Sequence, residues 1–210
     1  MKRLLLLLFT IVTISAQDYS LEFDGVDDWV NISSNTPEVL QLQDSLTIEA
    51  WVYVENYGAN DLQTIVGCQN EHKHGYAIHV DGRENSDSQT NPIGHLHFQI
   101  GSGNNWHATN TNSQIPLNKW VNIVATRKAN NDAKIYFDGI LQPSTSQNWN
   151  GSISYNEGQF NIGKQYGYGG NGDERVFDGK INEIIIRNRL VSEIEIQSNL
   201  DNQIINSDGV

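Results

Sequence analysis

Short stretches in which every second residue is apolar run along most of the chain. Residues 45–54 (SLTIEAWVYV) and 94–100 (GHLHFQI) follow this pattern, and in the second stretch His95, His97 and Gln99 face away from the apolar residues. Residues 120–127 indicate a third strand, and residues 133–141 a hairpin with an Asp-Gly turn. Turn signals rich in Gly, Asn and Asp separate these strands. This pattern predicts an all-β sandwich or barrel.

The segment over residues 177–196 combines a turn, a strand and the start of a helix. Its Asp-Gly pair supplies the turn, because glycine tolerates positive φ. Residues 181–188 carry apolar side chains on both faces, which predicts a mostly buried strand. Ser192 and Glu195 then form an S-x-x-E capping box, which predicts a short helix.

The first 16 residues are predicted to be a secretory signal peptide. A Lys-Arg pair precedes an apolar run over residues 4–14, and a Ser-Ala pair before Gln17 offers a small-residue cleavage point. The apolar run is too short to span a bilayer. Residues 17–200 then form one domain, and the polar residues 201–210 are interpreted as a linker or a cut edge.

The net charge limits the classes of partner, and the single cysteine and the signal peptide indicate the compartment. The whole chain carries a formal charge of −12; without the signal peptide, 11 basic and 25 acidic residues give −14. Such a surface repels nucleic acid and anionic membranes and attracts cations. Cys68 is the one cysteine, so no internal disulfide forms. With the signal peptide, these features predict a secreted or cell-surface protein that does not insert into the membrane, and they favour a bacterial source.

Five segments carry a resemblance to a known family. They are residues 21–30 (LEFDGVDDWV), 45–52 (SLTIEAWV), 120–126 (WVNIVAT), 135–139 (IYFDG) and 177–196, in that order. These segments resemble the concanavalin A-like superfamily, in particular its laminin-G-like and pentraxin-like jelly rolls. The resemblance covers nearly all of residues 19–200 and implies an antiparallel jelly-roll sandwich of two sheets. It departs from the family at Trp29, where Tyr is usual, and at Asn182, where Asp is frequent.

The resemblance implies a recognition module more often than an enzyme. Glycosidases built on this fold carry their carboxylates on one strand as E-x-D-x-x-E, and no such string occurs here. No G-x-S-x-G string of a serine hydrolase occurs either. The sequence therefore predicts a module without catalytic residues, and a glycoside hydrolase is the third reading of its function.

A calcium site is predicted on the turn after the first strand. Asp24, Asp27 and Asp28 cluster there, and the resemblance implies that this turn lies beside Asn182 of the closing strand. Carboxylate, amide and backbone oxygens are the ligands that Ca²⁺ takes. The alternative is that Asp24 caps the turn while its two neighbours are solvated. The Gly-rich residues 169–174 are a second candidate, for which a solvated loop is favoured.

Two histidines share one face of a predicted strand. His95 and His97 are two residues apart, so alternation brings both side chains to the same face. They could begin a zinc site, line a polar binding face, or lie in solvent. The sequence leaves these three readings open.

Two tryptophans lie among amide residues in predicted loops. Trp106 follows the pair Asn104-Asn105, and Trp149 directly follows Asn148. A tryptophan ring packs on the apolar face of a sugar while amides bond its hydroxyl groups. The alternative places both rings against the edge of the sandwich.

Together these features predict a secreted module that binds a glycan, with calcium as a supporting ion. The competing interpretation is an adhesion module of a larger cell-surface protein that binds protein partners. The predicted ligand-binding residues are Trp106, Trp149, Asn104, Asn148, His95 and His97, and the predicted metal ligands are Asp24, Asp27 and Asn182.

Overall fold

The computed structural model describes most of the chain after the predicted signal peptide. The described residues are 19–58, 61–68, 73–83, 91–129, 133–147, 151–156, 158–165 and 175–207, with side chains as far as 200. The signal peptide, Asn148, Trp149 and the Gly-rich residues 169–174 lie outside this part. Among the described residues, no helix is both long and apolar enough to cross a bilayer.

Strands account for most of the regular structure in the described residues. The strands are β1 (Leu21–Asp24), β2 (Val30–Ser33), β3 (Ser45–Val54), β4 (Leu62–Gly67), β5 (Tyr76–Asp81), β6 (His95–Gly101), β7 (Trp106–Gln114), β8 (Trp120–Lys128), β9 (Lys134–Phe137), β10 (Ile140–Leu141), β11 (Ser144–Ser146), β12 (Phe160–Ile162) and β13 (Asp178–Arg187). The helices are a 3-10 turn at Glu38–Leu40 and α1 (Glu193–Ser207).

The strands form two antiparallel sheets that pack face to face. One has six strands in the order β1-β13-β3-β8-β9-β10, and the other has seven in the order β11-β7-β6-β5-β4-β12-β2. Strands distant in sequence lie side by side, as β13 and β3 do. The predicted jelly-roll sandwich is confirmed.

The core fills the space between the sheets. The alternating apolar residues of β3, from Leu46 to Val54, are buried there, and so are Leu96 and Phe98 of β6. The period-2 pattern of both strands therefore predicts their inward faces correctly. Cys68 is buried in the same core, where burial raises the pKa of its thiol to about 12.

The predicted hairpin turn forms as expected. Asp138 and Gly139 have φ angles of 47° and 73°, and they join β9 to β10. Two consecutive positive φ values are what a two-residue hairpin turn requires. Asp138 also accepts a hydrogen bond through Oδ1 from the backbone N–H of Asn122, at 2.9 Å.

The closing strand is less regular than its sequence suggests. Glu183 has φ of 49°, and the register between β13 and β3 shifts between Asn182 and Ile185. This bulge interrupts the alternation of β13, so the strand is mostly half-buried rather than buried on both faces.

Helix α1 is longer than the short helix that the sequence predicts. Its start is as expected, because Ser192 Oγ accepts a hydrogen bond from the backbone N–H of Glu195 at 3.2 Å. The other half of the capping box is missing, since the Glu195 carboxylate binds Arg189 at 2.8 Å instead. The helix continues through residues 201–207, which the sequence analysis interprets as a linker.

Candidate functional site

Four buried polar residues lie on the outer face of the seven-stranded sheet. Apolar residues of β5 and β6 point into the core, so the residues between them point away from it. On this outer face, His79, Asp81, His95 and His97 are each at most 2% exposed. They are named the polar cluster below. The reading that His95 and His97 lie in solvent is therefore wrong.

Strand pairing assembles the polar cluster. In the antiparallel register of β5 and β6, His79 lies opposite His97 and Asp81 lies opposite His95. The ring of His97 is 5.8 Å from that of His79 and 6.3 Å from that of His95, centroid to centroid. Neither His79 nor Asp81 is among the predicted site residues, although residues 76–81 alternate like the predicted strands.

Asp81 is an ionised carboxylate held by an arginine. Arg83 donates from Nε to Asp81 Oδ1 at 2.9 Å and from Nη2 to Oδ2 at 2.7 Å. Its backbone N–H also donates to Oδ1, at 3.0 Å. Burial raises the pKa of Asp81, but the hydrogen bonds from Arg83 and the nearby charges outweigh it, and the net shift is downward.

His95 presents one ring nitrogen to this carboxylate. Its Nδ1 lies 2.9 Å from the carbonyl oxygen of Pro92. A carbonyl oxygen only accepts, so Nδ1 carries the hydrogen. The other nitrogen, Nε2, lies 3.6 Å from Asp81 Oδ2, which is longer than a normal hydrogen bond.

His97 and His79 are neutral imidazoles at physiological pH. Burial lowers the pKa of His97 to about 3, although Asp81 opposes the shift. Burial also lowers the pKa of His79, and Arg175 and His97 add to that shift. His79 Nδ1 lies 2.9 Å from Thr64 Oγ1. Among the described residues, neither ring nitrogen of His97 has a hydrogen-bond partner, and nor has His79 Nε2.

A second arginine lies close to the polar cluster. Arg175 is 6% exposed, and its backbone carbonyl accepts a hydrogen bond from the N–H of Thr64 at 2.9 Å. Its guanidinium donates to Gln165 Oε1 at 2.7 Å and lies 3.7 Å from the carboxylate of Asp61. The polar cluster thus has two arginines beside it, and each has a carboxylate partner.

Trp106 lies on the same outer face as the polar cluster. It begins β7 opposite Gly101 of β6, while Asn110 lies opposite His97. Directly opposed residues share a face, so Trp106, Asn110 and His97 all point outward. Gly101 and His97 are four positions apart on β6, which is about 14 Å of strand. Trp106 itself is half-buried.

The loop beside Trp106 carries Asn104. Residues 102–105 connect β6 to β7 in a tight hairpin, closed by a 3.0 Å hydrogen bond from the N–H of Ser102 to the carbonyl of Asn105. Asn104 is exposed at its tip. Strand β11, which ends three residues before Trp149 in the sequence, pairs with β7. The predictions for Asn148 and Trp149 lie outside the described residues.

The acidic turn brings three carboxylates together without Asn182. Oxygens of Asp24, Asp27 and Asp28 lie within 4.8 Å of one another, and all three residues are exposed. Asp24 Oδ1 accepts hydrogen bonds from the backbone N–H groups of Val26, at 2.8 Å, and Asp27, at 3.3 Å. The register pairs Asp24 with Asp178, and Asn182 lies four residues further along β13, about 13 Å away. The structure therefore does not bring Asn182 to this turn.

Several solved structures are similar to this one in fold. A heptameric pentraxin from Limulus polyphemus has 14% identity and a TM-score of 0.59, covering 87% of this chain and 82% of that chain. Domain 4 of an extracellular arabinanase from Geobacillus stearothermophilus, solved with arabinotriose, has 16% identity and a TM-score of 0.58, covering 87% and 80%. A Bacteroides ovatus protein designated as carbohydrate-binding has 19% identity and a TM-score of 0.60, covering 82% and 44%.

Sequence comparison gives the family. No curated protein sequence matches this chain significantly. The laminin G family model described as the concanavalin A-like lectin/glucanases superfamily matches residues 24–197, which is most of the chain. The chain belongs to the concanavalin A-like lectin/glucanase superfamily.

Proposed function

We propose that this protein is a non-catalytic module that binds a glycan on the outer face of its seven-stranded sheet. The observation that carries the proposal is the alignment of Trp106 with unpartnered polar groups on that one face. Binding modules of similar fold, one of them solved with arabinotriose, support it.

The chemistry of this face suits a sugar. Trp106 offers an aromatic surface for the apolar side of a pyranose or furanose ring. Next along the face, Gln99 Oε1 and Asn110 Oδ1 have no hydrogen-bond partner among the described residues. Both oxygens are buried acceptors that a sugar hydroxyl could reach only if the side chains turned outward, whereas exposed Asn104 offers an amide at the rim.

The same face offers little for hydrolysis. Retaining glycosidases need two carboxylates about 5 Å apart. Asp81 is the one carboxylate of the polar cluster, and Arg83 holds both of its oxygens. A carboxylate whose pKa is lowered in this way is a poor general acid. We therefore assign the face to binding.

Calcium fits the acidic turn as a supporting ion. The three carboxylates of Asp24, Asp27 and Asp28 lie close enough to share one cation, and oxygen donors are what Ca²⁺ takes. We expect the protein to melt several degrees higher in Ca²⁺ than in chelator, since ligand at about 100 times its Kd adds about 2.7 kcal/mol. The isosteric variant Asp27→Asn should lose this shift. An equal shift in wild type and variant would contradict the site.

Secretion is part of the proposal. It rests on the apolar run of residues 4–14 after a Lys-Arg pair, which has the form of a bacterial export signal. The mature protein is expected to begin at Gln17 and to act outside the cell or at its surface. N-terminal sequencing of the exported protein checks this, and an intact Met1 would contradict it.

Glycan titration tests the binding function. Neutral oligosaccharides are the first ligands to try, beginning with arabinotriose, because a charge of about −14 disfavours polyanionic sugars. We expect a Kd of roughly 0.1 to 1 mM. Trp106→Ala should cost about 1 to 2 kcal/mol of binding free energy. The matched control is Trp29→Ala, which removes an exposed tryptophan at the opposite edge of the same sheet.

A protein partner is the second candidate. Apolar side chains are exposed near the β1 and β2 edges, namely Val26, Trp29, Ile32 and Val39. Such residues favour adhesion to another protein. If glycans bind but Trp106→Ala binds every one of them like wild type, the site is not on the face of Trp106. If no glycan binds at all, glycan binding is wrong. Adhesion through the β1 and β2 edges then takes its place.

A further inference from the structure

We propose that Asp81, His95 and His97 bind a divalent transition-metal ion, with Zn²⁺ as the reference ion. This site is separate from the acidic turn and does not depend on glycan binding. Its donor atoms, two imidazole nitrogens and a carboxylate oxygen, lie within 4.8 Å of one another and are all buried. Two nitrogens and one oxygen suit Zn²⁺ better than Ca²⁺, which prefers oxygen alone.

The geometry of His95 directs its Nε2 atom towards Asp81. Because Nδ1 donates to the carbonyl of Pro92, Nε2 is the ring nitrogen that would bind a metal. That nitrogen faces Asp81 Oδ2 at 3.6 Å. Two ligands of one tetrahedral zinc ion, each bound at about 2.0–2.2 Å, are separated by roughly 3.4 Å. The observed distance is therefore long for a hydrogen bond and close to that of two ligands of one metal.

His97 supplies the second, independent observation. It is 2% exposed, and within the described part of the chain neither ring nitrogen has a hydrogen-bond partner. Burying polar atoms without partners lowers the stability of the fold. A metal bond to one nitrogen would remove part of this loss.

The surroundings of the three donors resemble the outer shell of a metal site. The carbonyl of Pro92 fixes the tautomer of His95, and Arg83 orients the carboxylate of Asp81. Such partners usually hold the ligands of protein-bound metals in position. A single carboxylate leaves the bound ion with net positive charge, so a water, hydroxide or anionic ligand is expected in the fourth position.

Metal titration of the whole mature domain tests the site. Chelator-treated protein is dialysed against Zn²⁺, and the bound metal is counted, with Ca²⁺ present in excess to fill the acidic turn. Co²⁺ then replaces Zn²⁺ as a spectroscopic probe. We expect one tightly bound Zn²⁺ per chain and the strong visible absorption of four-coordinate Co²⁺ with nitrogen ligands.

Two variants remove the ligands with little risk to the fold. His97→Leu replaces unpartnered ring nitrogens by an apolar group. His95→Gln removes the imidazole and keeps an amide donor for the carbonyl of Pro92. Each should weaken Zn²⁺ binding on the order of 100-fold or more and abolish the Co²⁺ spectrum. His107→Gln, a half-buried histidine of β7 outside the polar cluster, is the matched control and should bind like wild type.

The outcomes separate the proposal from its rivals. Absence of bound Zn²⁺ at one equivalent overturns it, and so does equal binding by wild type and His97→Leu. A Co²⁺ spectrum without nitrogen ligands, lost in Asp27→Asn instead, assigns the metal to the acidic turn and also overturns it. Circular dichroism of each variant confirms that the sandwich is intact, so that lost binding reports lost ligands.

Discussion

The outer faces of the two sheets both carry buried residues, but of different kinds. On the six-stranded sheet, helix α1 and the segment before it cover the face, and Val191 and Ile196 pack on Val124 and Tyr136. On the seven-stranded sheet, the corresponding buried residues are the three histidines and the aspartate of the polar cluster.

Polar residues on the six-stranded face have partners. Thr47 Oγ1 donates to the carbonyl of Arg189 at 2.7 Å and accepts from the N–H of Val191 at 3.2 Å. Glu49, at 2% exposure, accepts from Arg187 Nη1 at 2.8 Å. Among the described polar residues of this face, Asn122 has one buried atom, Oδ1, without a hydrogen-bond partner.

The seven-stranded face holds many more buried polar atoms without partners. His79, His97, Gln99 and Asn110 each have at least one in the described part of the chain. Such groups lower stability, so their accumulation on one face indicates selection for something other than folding. This contrast supports the proposal that the seven-stranded face serves binding, whereas the partnered groups of the six-stranded face serve stability.

The largest effect is expected on the six-stranded face. Arg187→Met removes the partner of buried Glu49 and leaves an uncompensated charge, which should lower the free energy of unfolding by about 3–5 kcal/mol. Urea denaturation measures this. The control is Arg189→Met, which breaks an ion pair in solvent and should change nothing measurable. Similar losses in both variants would contradict the assignment.

The second-largest loss of stability is expected where helix α1 packs on the six-stranded sheet. Ile196 is 2% exposed, whereas Ile194 on the same helix is 81% exposed. Ile196→Ala should lower the free energy of unfolding by about 2–3 kcal/mol, because it removes apolar contacts on Val124 and Tyr136. Ile194→Ala should lie within about 0.5 kcal/mol of wild type. Equal effects would mean that α1 does not cover the face.

Alkaline pH probes the core that both sheets share. The pKa of the Cys68 thiol rises from 9.0 to about 12 on folding, because burial disfavours the thiolate. A raised pKa gives stability that is complete below pH 9 and is lost as the pH rises towards 12. The slope is at most about 1.4 kcal/mol per pH unit. Denaturation at pH 8 and pH 10 should show this loss in wild type and not in Cys68→Ala, and a loss shared by both would contradict it.

Individual strands and turns could be predicted from the sequence because their determinants are local, and the family resemblance implied the two-sheet jelly roll. Alternation over residues 45–54 predicts which side of β3 is buried, and the Asp-Gly pair at 138–139 predicts a hairpin. The length of α1 could not be predicted, because the helix is stabilised by packing on β8 and β9 and its residues show no strong helical period.

The candidate site could be predicted only in part. His95 and His97 were identified because they are two residues apart on one strand. Asp81 and His79 lie on β5, and the pairing of β5 with β6 brings them beside the two histidines. No short-range sequence pattern specifies the register of that pairing. The family resemblance implies that Asn182 lies at the acidic turn, but the register of β1 on β13 places it about 13 Å along the strand.

The variant His97→Leu tests the central claim most directly. If the seven-stranded face serves binding, the metal-free variant should be at least as stable as wild type, because it replaces buried ring nitrogens without partners by an apolar side chain. Urea denaturation in chelator should give a free energy of unfolding equal to or up to about 1 kcal/mol above wild type, while one equivalent of bound Zn²⁺ is lost. A variant destabilised by more than about 2 kcal/mol, with metal binding unchanged, would show that His97 is structural and would contradict the account.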